Sequence, residues 1–179
     1  MSTTPPKPDR PTPDSTPSAR PDPPPAHRLT TLDEWLAYGL GTGLSPRAPG
    51  TVASAAAAVF HFFTLAHWPI LAQGALVAVA FLLGIVICHR VERRLGEHDS
   101  GAIVWDEFVG IWLTLLASDG SITATLAGFV LFRLFDILKP WPISWLDRHV
   151  QGGFGVMVDD AAAGIAAAAV LLAGRYALG

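Results

Sequence analysis

The apolar residues of this chain fall into five blocks, and its ionisable residues crowd the ends of those blocks. The blocks run over about 52–66, 70–89, 102–117, 122–138 and 161–178. A helix that crosses a bilayer needs about 20 mostly apolar residues. The second and fifth blocks reach that length, while the first, third and fourth fall short of it. Short spans are accommodated by tilting, by breaks or by cover from neighbouring helices. Ala and Gly are frequent in the first and fifth blocks, which suits close helix packing in lipid. Across the 179 residues only 15% are charged and 51% are hydrophobic, whereas a soluble domain carries about 25% charged residues. The expectation is an all-α membrane protein of about five apolar helices. The alternative is a soluble helical bundle with a very apolar core. A net charge of -3 without a basic stripe argues against a nucleic-acid partner. The single cysteine, Cys88, excludes a disulfide framework and a cysteine-based zinc site.

Two segments precede the blocks. Residues 1–28 hold ten of the 15 prolines and little apolar surface, so they read as a disordered, partly polyproline-like tail. The tail lacks the apolar stretch of a signal peptide. Residues 29–179 form the expected helical domain. At its start Thr31 and Glu34 have capping-box spacing. Leu32, Trp35, Leu36 and Leu40 then fall on one helical stripe. This predicts a short amphipathic helix, either at the membrane surface or packed on the core.

The basic residues orient the blocks. Joined in order, the blocks place 1–50, 90–101 and 139–160 on one side. That side carries Lys7, Arg10, Arg20, Arg28, Arg47, Arg90, Arg93, Arg94, Lys139 and Arg148, and the other side only Arg175. The positive-inside rule makes the first side cytoplasmic. The acids gather at the same side. Asp106 and Glu107 open the third block, Asp136 lies near the end of the fourth, and Asp159 and Asp160 precede the fifth, with His98 and Asp99 nearby.

Ionisable groups at membrane depth are costly and mark function. That many carboxylates on one surface repel each other unless a cation neutralises them, and hard oxygen ligands suit Mg²⁺ or Mn²⁺. Arg133, Asp136 and Lys139 follow i, i+3, i+6 spacing and share a helical stripe. Cations beside a carboxylate-bound metal outline a phosphate site. The bland alternative is that Arg133 merely pairs with Asp136. Gly110 and Gly164 each lie four residues after an acid, where a bare backbone lets another helix approach. Gly152, Gly153 and Gly155 read as a loop before Asp159. Upstream, the segment GTGLSPRAPGT at 41–51 is rich in backbone amides and contains Arg47. It reads either as an anion cradle before a helix capped by Thr51 or as a plain structured turn. His61, His67, His89 and His149 lack ligand spacing and are read as packing or interface residues. The tryptophans fall mostly near block ends, as an aromatic belt does.

Four segments, GTGLSPRAPGT, HDSGAIVWDEFVG, FRLFDILKPWPISWLDR and GGFGVMVDDAAAG, together resemble the phosphatidylglycerophosphatase A family, in the family's order over about 41–164. Ala53, where many relatives carry glycine, and Ser100, in a stretch where relatives often have a second acid, are departures. Neither removes a central carboxylate. The resemblance implies a Mg²⁺-dependent phosphatase of the bacterial inner membrane, acting on its cytoplasmic side. Its phospholipid substrate would be phosphatidylglycerophosphate, cleaved to phosphatidylglycerol and phosphate.

On that basis Asp106, Glu107, Asp159 and Asp160 are the expected metal ligands. Arg133, Lys139 and Arg47, with Thr42 and Gly43 of the upstream loop, are expected to bind phosphate. Asp136 is a further ligand or a base, and His98 and Asp99 protonate the leaving alkoxide or orient water. A metal-activated water is the preferred nucleophile, with an aspartyl-phosphate as the alternative. Other readings are a phosphatase for another lipid phosphate, a phosphotransferase using CDP-alcohols, and a small transporter or channel with a carboxylate ion site. The phosphotransferase's spaced-aspartate motif is missing. A transporter's acids should continue across the bilayer, whereas the far side here holds only Asp119. The sequence carries no signal for oligomeric state.

Overall fold

A computed structural model describes residues 29–95 and 100–178. The proline-rich tail lies outside the described residues. The order is α1 (Leu32–Ala37), a 3₁₀ segment (Gly39–Leu44), α2 (Pro49–Phe63), a 3₁₀ turn (Leu65–His67), α3 (Ile70–Leu95), α4 (Trp105–Leu115), α5 (Ile122–Leu138), α6 (Ile143–His149) and α7 (Gly152–Leu178). Among the described residues there is no strand. The all-α expectation holds.

Three stretches are long and apolar enough to cross a membrane: Pro49–His67, Ile70–Leu95 and Gly152–Ala177. The third and fourth blocks appear as the shorter helices α4, of 11 residues, and α5, of 17. The reason α4 is short and still apolar is its position. Nine of its residues are buried, because it packs against α2, α3, α5 and α7. A helix that is apolar all round belongs in the interior. Two tryptophans expected in an aromatic belt sit in this core instead. Trp105 Nε1 donates to the Ala80 carbonyl of α3 at 3.0 Å, and Trp112 Nε1 donates to the Ala57 carbonyl of α2 at 3.2 Å. Each indole thereby satisfies its one donor while burying its ring. Trp68, Trp141 and Trp145 remain exposed, as a belt requires.

The most extensive helix pairing is α4 against α7. A Cβ on Gly164 would lie 2.6 Å from the Gly110 carbonyl oxygen. The two backbones therefore touch one turn below Asp106 and Asp160, as the glycine spacing predicts. Thr114 Oγ1 fastens the crossing, donating to the Gly110 carbonyl at 2.9 Å and lying 3.3 Å from that of Gly164.

Three local expectations are corrected. Gly152, Gly153 and Gly155 are the first turn of α7, not a loop before it. Gly153 is needed there because a Cβ would meet the Ile85 carbonyl at 2.1 Å, so α7 begins pressed against α3. Thr51 lies inside α2, whose cap is Ala48 with Pro49 next to it; proline's fixed φ suits the first helical position. Trp141 to His149 also holds a helix, α6, that no apolar periodicity marks.

The capping box of α1 forms. The Glu34 carboxylate accepts from the backbone N–H groups of Thr30 (2.8 Å) and Thr31 (3.1 Å). Leu36 packs against the core, while Leu32, Trp35 and Leu40 are exposed. Arg94 of α3 ties the helix down through Asp33 at 2.9 Å. His61 is buried and bonded to Gln73 at 3.2 Å, a packing role.

Candidate active site

Four helix ends meet at one end of the bundle. The first turn of α4 supplies Asp106 and Glu107, and the last turn of α5 supplies Arg133 and Asp136. Early α7 supplies Asp159 and Asp160, and the first turn of α2 supplies Gly50. Between them lies a cleft of about 320 Å³, also lined by Glu92, Lys139 and Asp147. Seven carboxylates line it, with Lys139 in the wall and Arg133 directly behind Glu107 and Asp136. The charges leave a formal excess of five negatives (seven carboxylates against two cations).

The two cations are already engaged. Arg133 Nη1 bridges Glu107 Oε2 at 2.6 Å and Asp136 Oδ2 at 2.8 Å. Ser54 of α2 completes this corner, its Oγ lying 2.6 Å from Glu107 Oε2 and 2.7 Å from the Gly50 carbonyl. Glu107 presses so close to α2 that a Cβ on Gly50 would sit 2.0 Å from its Oε1. The Arg133–Asp136 pair foreseen as the bland alternative exists, but it is one arm of a link between three helices.

Lys139 caps α5 in the left-handed conformation (φ 40°). Its ammonium bridges Asp147 Oδ1 of α6 at 2.5 Å and Asp159 Oδ2 of α7 at 2.7 Å. Burial alone would lower its pKa, but the hydrogen bonds and charges of Asp147 and Asp159 outweigh that and raise it above the usual lysine value.

Among the described residues Asp106 and Asp160 have no such cation, and Asp159 is covered at one oxygen only. Oδ1 of Asp106, Oδ1 of Asp159 and Oδ2 of Asp160 are buried without a hydrogen-bond partner. Asp160 is also within electrostatic reach of Asp106, Glu107, Asp136 and Asp159. Buried carboxylate oxygens without partners are expensive, so this end of the molecule is built around charge that its own side chains leave uncompensated.

Of the residues singled out in the sequence, the fold brings together Asp106, Glu107, Arg133, Asp136, Lys139, Asp159 and Asp160. Of the upstream segment at 41–51, Gly50 in the first turn of α2 lines the cleft, and the residues before it lie beside the cleft. Thr42 Oγ1 donates to the Gly39 carbonyl at 2.8 Å, Gly43 is buried against Ala102, and Arg47 is exposed. His98 and Asp99 lie outside the described residues. Sequence reasoning missed Glu92, Asp147 and Ser54, and took Gly50 only as part of the 41–51 segment. Ser54 carried one signal, a hydroxyl four residues after a glycine in a run of alanines.

Fold and cleft define an all-helical membrane protein with a polyacidic, water-accessible site at one end of its helix bundle. The chain belongs to the phosphatidylglycerophosphatase A family, whose family model matches residues 35–175. It is 45% identical over 150 residues to phosphatidylglycerophosphatase A of Escherichia coli strain K12, covering 80% of this chain and 85% of that protein. The Haemophilus influenzae phosphatidylglycerophosphatase A is 43% identical over 142 residues, covering 79% and 87%. A Bacteroides thetaiotaomicron relative with the provisional name phosphatidylinositol-3-phosphatase is 36% identical over 162 residues, covering 85% and 99%. No solved structure matches the chain. Family membership makes the protein a phosphatase and the cleft its candidate active site.

Proposed function

We propose that the protein hydrolyses the terminal phosphomonoester of phosphatidylglycerophosphate, giving phosphatidylglycerol and inorganic phosphate, with Mg²⁺ as cofactor. The reaction would take place at the cytoplasmic face of a bacterial inner membrane. The observation that carries the reading is the set of buried, partnerless carboxylate oxygens of Asp106, Asp159 and Asp160 around the cleft. Among the described residues no three acids, histidines or cysteines converge into a ready-made cation site. The chemistry of the donor set nevertheless fits a hard divalent cation, which takes carboxylate oxygens and keeps several waters. Asp106, Asp159 and Asp160 would hold it, with Glu107 adjoining. The cation would neutralise phosphate charge and make water a better nucleophile.

The chain's own residues supply positioning. A dianionic phosphate entering a cleft with excess negative charge needs cations, and Lys139 is the lining residue that offers one. Its bridge to Asp147 and Asp159 holds the ammonium at the wall. Arg133 holds Asp136 in place through the 2.8 Å ion pair, so that Asp136 can accept a proton from an attacking water. The new P–O bond forms as the bond to the glycerol oxygen breaks, and that oxygen takes up a proton. His98 and Asp99 remain the proposed donors. Phosphoryl transfer of this kind depends mainly on positioning and charge neutralisation.

The test is phosphate release from phosphatidylglycerophosphate by purified protein in detergent. Release with Mg²⁺ that is lost on adding EDTA and restored by excess Mg²⁺ is expected. Release that persists undiminished in EDTA would overturn the metal assignment. Release from phosphatidylinositol 3-phosphate but not from phosphatidylglycerophosphate would overturn the substrate.

A further inference from the structure

Helix α5 carries an exposed apolar stripe that runs up to its cleft-facing charges. Asp136 lines the cleft and Arg133 is paired to it. Alongside them Ile122, Leu126, Val130, Leu134, Ile137 and then Trp141 follow one another at three- or four-residue steps. Every one of them is 49–81% exposed, Trp141 the most. Steps of that size put the helical residues on one line along the helix. Seventeen residues rise about 25 Å, close to the ~30 Å of bilayer hydrocarbon. The line ends beside Lys139, the lining cation.

Resting on the phosphatase reading above, we infer that this outer stripe of α5 is the acyl-chain track of the lipid substrate. Trp141 is the interfacial step over which the phosphate-bearing headgroup turns into the cleft. The ligand class is a bilayer glycerophospholipid with a terminal phosphomonoester. The stripe suits lipid chains better than a second copy of the protein. Helix pairs in membranes meet through small residues, and on α5 Ala124 and Gly128 are buried and Ala127 half-buried, all off the outer stripe. The outer stripe instead presents branched side chains, with an indole at its end, where tryptophan prefers the headgroup level. A headgroup held at Trp141 is next to Lys139 without leaving the leaflet.

Two measurements on the full chain in nanodiscs test this. In the first, lipids brominated near the carbonyl end of the chain quench tryptophan emission. Trp141→Phe is expected to lose a distinct part of that quenching. Quenching unchanged by the substitution would overturn the track. In the second, Trp141→Ala is expected to raise KM several-fold for a long-chain lipid phosphate in mixed micelles with kcat retained. A short-chain, water-soluble analogue should show no change. Equal loss on both substrates would place Trp141 in the cleft machinery and overturn the inference. Efficient disulfide cross-linking between copies through Val130→Cys would put a second chain on the stripe, with the same consequence. If the wild-type protein hydrolyses neither substrate, the phosphatase reading falls and the substrate track with it, whereas hydrolysis of both with KM unchanged in Trp141→Ala overturns the track alone.

Discussion

The two ends of the helix bundle treat polar atoms in opposite ways. At the end away from the cleft, the polar groups around the turn at 118–124 have local partners, and among the described residues the buried side-chain atom left without one there is His61 Nδ1. Asp119 Oδ1 accepts from the Ser121 N–H at 2.9 Å, Ser118 Oγ accepts from the Gly120 N–H at 3.0 Å, and Ser121 Oγ accepts from the Ala124 N–H at 3.1 Å. Arg175 Nη1 donates to the Ala117 carbonyl at 2.6 Å. A groove exists there too, of about 650 Å³, lined by Asp119, Ser121 and Arg175 among apolar residues. Its polar atoms serve turns and a helix cap. At the cleft end, three carboxylate oxygens are buried and left without partners. A hollow alone does not distinguish a site; unsettled charge around it does.

That contrast is broken most severely at Asp160. Asp160→Asn is expected to lower phosphate release by about 10²-fold or more, the scale of losing one preorganised electrostatic group. It should leave the thermal midpoint unchanged or raised, because a buried uncompensated charge disappears. A variant with near-full activity would remove Asp160 from the site.

Next in size is Arg133→Met, which leaves Glu107 and Asp136 without their shared cation. Breaking a buried pair in this way costs about 3–5 kcal/mol. Arg175→Met at the other end, where the side chain is exposed, should stay within about 0.5 kcal/mol. Unfolding of both variants in the same detergent checks the difference.

Lys139 gives a smaller and pH-dependent effect. Its pKa is raised in the folded protein. The stability it contributes is therefore complete below the ordinary lysine pKa and is lost as pH rises through the folded value. The stability difference between wild type and Lys139→Met should be flat through neutral pH and shrink only in the strongly alkaline range. A difference that vanishes near neutrality would contradict the double bridge to Asp147 and Asp159. The mildest change is Ser121→Ala, which removes a helix cap worth about 1 kcal/mol. It should lower the thermal midpoint slightly and leave turnover untouched.

Much of this was legible in the sequence because hydropathy and charge are local properties. The fourth apolar block and α5 coincide at 122–138. Five of the seven cleft carboxylates, Asp106, Glu107, Asp136, Asp159 and Asp160, could be named because each breaks an apolar pattern. What escaped depends on contacts between distant segments. Ser54 looks like any small residue in an alanine-rich helix until Glu107 is placed against it. Asp147 matters because the α5 cap swings Lys139 toward it, and α6 has too few residues for periodicity to register. Gly153 resembles a loop glycine because its reason for being small is the backbone of α3, which lies far away in sequence, while Gly155 is held small by the Val150 carbonyl. The upstream loop is a further case: a glycine-rich stretch reads alike as a cradle or as a turn, and the close approach of the Ala102 carbonyl to Gly43 is visible only in the fold.

The contact between Gly110 and Gly164 has one more consequence. Main chain rests on main chain there, so the separation of Asp106 from Asp160 is set as a mechanical stop sets a caliper. Side chains on the lipid-facing coat can drift over generations, or reorient with temperature, without widening the jaws. Only a residue added at the stop itself would spread them, which confines the tolerance of the acidic cleft to two positions that carry no charge at all.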